Sequence, residues 1–202
     1  LAVHYGDFDV AYVGMSTPYT INSSTPTYFK DEKGNYVYSF CIDNFYDVVQ
    51  NAVNSAKKEG ADFVVVLSHL GDEDEGEGGI NSPSMIENTY GIDVVLDGHS
   101  HSVILDSIVK NKKGENVTLT STGTKFQYMG RLTIHPDRTF KTELISTESY
   151  PKKNASVLKV IEDIKEGYKK VAEQVIFTSD VKLAAFDDQK NRLVRNQETN
   201  ID

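Results

Sequence analysis

The sequence predicts an α/β fold built as a parallel βαβ part, followed by an antiparallel meander and a long helix. Three observations carry this reading. Two short apolar runs, 63–67 and 94–96, are each preceded by a helix-like pattern, as expected for strands covered on both faces. Four β-like runs separated by turn residues occupy 102–146. Beyond them, Val157, Leu158, Ile161, Ile164, Tyr168, Val171 and Val175 recur at the helical period.

In chain order, 8–15 reads as a buried strand, and Ser16-Thr17-Pro18 ends it with turn chemistry. A polar loop over 22–34 leads to a second β-like run at 36–42, which carries Cys41 between apolar neighbours and so predicts a buried, inert thiol. From Asp43, a predicted N-cap, the apolar residues Phe45, Val48, Val49, Ala52, Val53 and Ala56 form one helical stripe that Gly60 terminates. The strand at 61–67 follows. A short helix over 83–90, stopped by Gly91, feeds the strand at 92–96, and two such strands joined by a helical crossover run parallel. Strands are then expected at 102–109, 117–122, 130–135 and 140–146, a long helix over 157–175, and a last short strand at 181–185.

Bulk properties narrow the function. With 202 residues, 39% hydrophobic and 25% charged, the chain suffices for one sizeable core. A net charge of −9 argues against binding a nucleic-acid polymer, whose phosphates call for clustered Lys and Arg, but leaves small phosphorylated substrates open where a metal supplies the positive charge. The apolar runs are far shorter than the roughly 20 residues of a membrane span. Residues 1–9 carry no signal-peptide pattern and the first residue is not Met, which suggests a processed or trimmed product.

The candidate chemistry lies where the two buried strands end. One runs into Ser68-His69-Leu70-Gly71 and the other into Asp97-Gly98-His99-Ser100-His101, which places three of the five histidines at the carboxyl edge of a parallel sheet, where ligands bind. Residues two apart in extended backbone face the same way about 7 Å apart, which suits His99 and His101 to two metals better than to one. Gly98 would let the backbone turn at the strand end, and Asp97 would orient an imidazole from behind the ligands. On residue chemistry alone, metal coordination and structural hydrogen bonding both stand open. The acidic run 71–79 does not fit the spacing of a calcium loop and reads as a solvated loop. His4 and His135 stand alone, and Tyr5, Tyr12, Phe126 and Tyr128 read as core aromatics before base-stacking ones.

Val65-Val66-Leu67-Ser68-His69-Leu70-Gly71 and the segment from Gly91 to His101 resemble the two later metal motifs of the calcineurin-like metallophosphoesterases, in the form found in 5′-nucleotidases and 2′,3′-cyclic-nucleotide phosphodiesterases. Val13-Gly14-Met15-Ser16-Thr17-Pro18, Gly130-Arg131-Leu132 and the segment from Arg195 to Ile201 resemble further stretches of that family in the same order, so the resemblance spans nearly the whole chain. It implies the α+β sandwich of that family. It also implies a domain over 1–190 that is the C-terminal half of the catalytic domain, and a linker at 191–202 toward a C-terminal nucleotide-binding domain.

The resemblance further implies that His69 and His99 bind one metal and His101 the other, with two divalent ions (Zn, Mn, Fe or Co) in the intact enzyme. The remaining ligands, the bridging carboxylate and the catalytic His belong to earlier motifs of the Asp-x-His, Gly-Asp and Gly-Asn-His type. None is in this chain: the Gly6-Asp7 pair lacks their surroundings and no Asn-His dipeptide occurs. The catalytic residues are therefore unassigned here, at most one ion is expected to bind weakly, and the chain alone is expected to be inactive. The implied substrate is a small phosphorylated nucleotide, and the implied setting is extracellular, periplasmic or cell-surface. The alternative is a noncatalytic binding or scaffold module on the same fold.

Overall fold

In the computed structural model, which describes residues 1–73, 79–175, 178 and 180, the valine run of the third strand alternates between two separate cores. Chain order is β1 (Ala2–Tyr5), β2 (Phe8–Ser16), α1 (Thr20–Ser23), α2 (Phe45–Lys58), β3 (Phe63–His69), α3 (Ser82–Asn88), β4 (Val94–Asp97), β5 (Val103–Lys110), β6 (Asn116–Thr122), β7 (Tyr128–Ile134), β8 (Phe140–Ser146) and α4 (Ala155–Ala172). Six strands form one sheet in the order β1-β2-β3-β4-β6-β5, and β7 pairs with β8 in a second, two-stranded sheet. Neighbours from β2 through β3 and β4 to β6 are parallel, while β1 and β5 flank them antiparallel. The chain divides by its contacts into two compact units, 1–148 and 149–202.

Because successive strand residues point to opposite faces, Val64 and Val66 of β3 face one way and Phe63 and Val65 the other. The first pair joins Ala11, Val95, Val117 and Leu119 beneath Phe45, Val49 and Val53 of α2 and Met85 and Ile86 of α3. The second pair joins Val10 beneath Leu132, Ile134 and Phe140 of the β7–β8 hairpin. Val64 and Val66 are fully buried, each worth about 1.5–3 kcal/mol against exposure. The stripe of α2 buries positions 45, 49 and 53 and leaves Val48 exposed. Short α3 is started by a capping box, in which Asn81 accepts from the Ser84 amide and Ser84 accepts from the Asn81 amide.

Several expectations need correction. The run at 36–42 makes only an isolated bridge between Lys30 and Tyr36, and Cys41 is exposed with φ +50. Its aromatics have strand propensity, but among the described residues no strand lies beside them to pack on. Val37 and Tyr38 are exposed, and Asp31 folds the segment locally by accepting the amides of Lys33 and Asn35. The helix cap is Asn44, not Asp43, because a 3₁₀ turn at Ile42–Asn44 precedes α2. The meander is two hairpins: β6 crosses back to lie parallel to β4, carrying β5 into the main sheet, and β7–β8 stands apart. Gly6-Asp7 is the turn of a β1–β2 hairpin, with Gly6 at φ +59.

In the second unit, the Asn154 side chain accepts the amides of Ser156 and Val157 at the start of α4. The helix expected over 157–175 thus spans Ala155–Ala172, with Val157, Ile161, Ile164, Tyr168 and Val171 exposed. The expected strand at 181–185, the linker at 191–202 and residues 74–78 of the acidic loop lie outside the described residues.

Candidate metal centre

His69 is the last residue of β3, and its carbonyl accepts the Thr17 amide at 3.1 Å, tying it to the end of β2. The register pairing Leu67 with Leu96 brings the exit of β4 alongside. There the His69 and His99 rings lie edge to face, with centroids 5.1 Å apart. Gly98 makes this approach possible: a Cβ on it would sit 3.2 Å from His69 Nδ1. Its role is room for the neighbouring imidazole. The turn expected of Gly98 is made by His99 (φ +86) and His101 (φ +60), both in left-handed backbone. Such backbone costs a non-glycine residue about 1–3 kcal/mol, and it persists only where the surroundings hold it.

Those surroundings are two carboxylates. Asp97 Oδ1 accepts the amides of Leu70 and Gly71, each at 3.3 Å, and so holds the loop that follows His69. Leu70 is 2% exposed and Ser68 Oγ is 2.7 Å from Ser82 Oγ, so the loop is anchored in the core beneath α3. On the far side, Asp72 accepts hydrogen bonds from the Ser100 hydroxyl and, at 2.7 Å, from the Ser102 hydroxyl, while its own amide donates to Ser100 Oγ at 3.3 Å. Burial raises the Asp72 pKa, but the hydrogen bonds from Ser100 and Ser102 outweigh it and hold the carboxyl below the ordinary aspartate range. Hydrogen bonds to an ionised acceptor are worth about 1.5–3 kcal/mol each, the scale of the backbone cost they offset.

Of the three expected ligands, the structure brings His69 and His99 together and leaves His101 exposed, two residues further along the same loop. Paired imidazoles at a strand edge are suitable donors for a divalent ion, but among the described residues no group of three or more His, Cys, Asp or Glu converges to hold one. The donor set is that of a partial site. His4 lies elsewhere, bonded to Asp9 at 2.9 Å on the β1–β2 hairpin, and His135 opens the β7–β8 turn.

Beside Asp97 is a cavity of about 220 Å³ lined by Thr120, Thr122, Arg131 and Glu143 among others, in which Arg131 is engaged by Glu143 at 2.6 Å. A cavity of about 580 Å³, lined by Tyr5, Phe8, Val10, Tyr12, Leu132 and Ile134 among others, contains no histidine. Tyr12, pushed up to about 12 by burial and by its bond to Tyr5, stays protonated there. Phe126, by contrast, is 90% exposed.

Residue patterns alone miss Asp72, Ser100 and Ser102. The available signal is a serine on each side of His101. Asp72 reads instead as the start of a solvated acidic run.

No family model matches the chain. An apyrase of Anopheles gambiae is 26% identical over 168 residues, 69% of this chain and 28% of that protein. A 2′,3′-cyclic-nucleotide 2′-phosphodiesterase/3′-nucleotidase of Haemophilus influenzae is 45% identical over 60 residues, 27% of this chain and 9% of that protein. The crystal structure of a 5′-nucleotidase precursor from Thermus thermophilus superposes with a TM-score of 0.65 at 22% identity, covering 92% of this chain and 37% of that one. The chain thus spans well under half the length of each of these three proteins. In fold it is similar to the Thermus thermophilus structure and to the crystal structure of a calcineurin-like phosphoesterase from Bacillus subtilis, which superposes with a TM-score of 0.53 at 17% identity and covers 83% of this chain and 54% of that one.

Proposed function

We propose that this chain is the later half of the catalytic domain of a dinuclear-metal phosphoester hydrolase acting on nucleotides. The observation that carries the reading is the pairing of His69 and His99 at the carboxyl edge of a parallel sheet. The names of the relatives, an apyrase and a cyclic-nucleotide phosphodiesterase, support the nucleotide as substrate class.

In this reading His69 and His99 hold one divalent ion (Zn, Mn, Fe or Co) and His101 contributes to a second. When bound, the ions polarise phosphoryl oxygens and lower the pKa of a coordinated water. Asp97 fixes the loop behind His69, and Gly98 leaves space for its ring. The bridging carboxylate, the remaining ligands and the catalytic His come from upstream motifs outside this chain, so the chain alone holds at most one ion, weakly, and does not turn over substrate. Leu67, in the middle of the main sheet yet 45% exposed, agrees with further structure packing on that face. Residues 191–202 lead toward a nucleotide-binding domain, and an extracellular, periplasmic or cell-surface setting belongs to the same reading. Among the described residues, no helix is long and apolar enough to cross a membrane.

The test is metal content after dialysis against zinc or manganese, for the wild type and for His69→Ala and His99→Ala. Substoichiometric to stoichiometric metal that either substitution removes supports the site. Strong, chelator-sensitive hydrolysis of nucleotides by the 202-residue chain alone would overturn its proposed incompleteness. The observation that favours the second reading, a noncatalytic scaffold, is that three donors do not converge among the described residues. Metal absent under every condition would select it.

A further inference from the structure

Resting on the reading that these histidines coordinate metal, we propose that Asp72 is a positioning residue that sets the backbone presenting His99 and His101. Three observations converge on it. First, the Asp72 carboxylate accepts both the Ser100 and the Ser102 hydroxyls, and so grips the chain on either side of His101. Its amide donates back to Ser100 Oγ, and the two hydroxyls lie 3.3 Å apart, which closes the clasp.

Second, the clasp joins segments 28 and 30 residues apart in sequence, the exit of β3 and the exit of β4, which are the two that carry the imidazoles. Gly71, the residue before Asp72, has φ +79, and a Cβ on it would reach His99 Cδ2 at 3.4 Å and Ser100 Cβ at 3.5 Å. The two segments therefore pack directly against each other. Third, His99 and His101 occupy left-handed backbone that neither residue favours, and Ser100 lies between them. A carboxylate holding Ser100 and Ser102 is the device that keeps both turns from relaxing.

Asp72, Ser100 and Ser102 lie in the loops that follow β3 and β4, outside every helix and strand, so the clasp acts on those loops. Its effect therefore reaches the metal through the imidazoles, as partners behind metal ligands do, typically at about 10–100-fold in affinity.

The experiment measures Co(II) binding by the full chain, by titration and by the visible absorption of the bound ion. It also records the imidazole NMR shifts of the metal-free protein. Asp72→Ala is expected to weaken Co(II) binding by about tenfold or more. It is also expected to move the His99 and His101 ring shifts without metal, and to leave the thermal midpoint nearly unchanged. Ser100→Ala with Ser102→Ala should reproduce both effects, and Asp72→Asn, which keeps the size and part of the hydrogen bonding, should fall between. Should Asp72→Ala not fold, the Asn and double serine variants carry the test.

Wild-type affinity and unmoved ring shifts in these variants, with His69→Ala still abolishing binding, would overturn the positioning role alone. Co(II) binding indifferent to His69→Ala and His99→Ala would overturn the metal reading, and the metal-directed role of Asp72 with it.

Discussion

The two edges of the main sheet treat their carboxylates differently. At the amino edge, Asp62 accepts the Asp9 amide at 3.0 Å and is paired with Arg138 at 2.7 Å, while Asp93 accepts the Val64 amide at 2.7 Å and lies 3.4 Å from Lys57. Both of these carboxylates have a cation beside them. At the carboxyl edge, Asp97 is satisfied by two amides and Asp72 by two hydroxyls, and among the described residues no Lys or Arg pairs with either. Hydrogen bonds from neutral donors stabilise a carboxylate without cancelling its charge, so the carboxyl edge keeps a negative field beside two imidazoles, which favours a cation. One edge is finished as structure, and the other is left electrostatically open.

The contrast breaks most visibly at Asp93. Replacing it with alanine leaves the buried Val64 amide without an acceptor, and is expected to cost about 1–3 kcal/mol in denaturant unfolding while leaving Co(II) affinity unchanged. A smaller loss of stability, about 1 kcal/mol, is expected for Asp97→Asn, whose bonds are longer at 3.3 Å. That variant should also weaken Co(II) binding, because the loop behind His69 is freed. Equal effects of the two on metal affinity would erase the distinction.

Smaller still is Gly98→Ala. The added methyl must displace His69 Nδ1 from 3.2 Å, so titration should show a several-fold drop in Co(II) affinity with a thermal midpoint close to wild type. The least effect is the acid response of the amino edge. Asp62 is held below the ordinary aspartate range first by the Asp9 amide and then by Arg138. With the folded pKa below the unfolded one, its contribution is fully present above the ordinary value and is lost as pH falls through the lowered one. Carboxyl NMR titration should place the Asp62 midpoint below that of a free aspartate, and Arg138→Ala should move it upward.

Much of the fold was legible because burial enforces period. Val64 and Val66 against Phe63 and Val65, and the 45-49-53 stripe of α2, follow from side-chain direction alone. The segment at 36–42 shows where that logic fails: Tyr36, Tyr38 and Phe40 alternate like a strand, but a strand is defined by its neighbour, and sequence does not specify one. At the candidate site, the positions of His69 and His99 could be read from strand ends. The left-handed turns at His99 and His101 could not, nor could the clasp from Asp72, because a contact between residues 72 and 102 is made by tertiary packing. Gly98 was legible as important but for a different reason, a flexible turn rather than a vacant volume.

The left-handed backbone at positions 99 and 101 also bears on how this sequence would drift. A descendant freed from any need for imidazoles would gain by placing glycine or asparagine at both positions, since those residues accept the geometry that histidine resists. Histidine persisting at both positions among relatives that have diverged elsewhere would mark chemistry under selection, and a Gly or Asn pair would mark its abandonment.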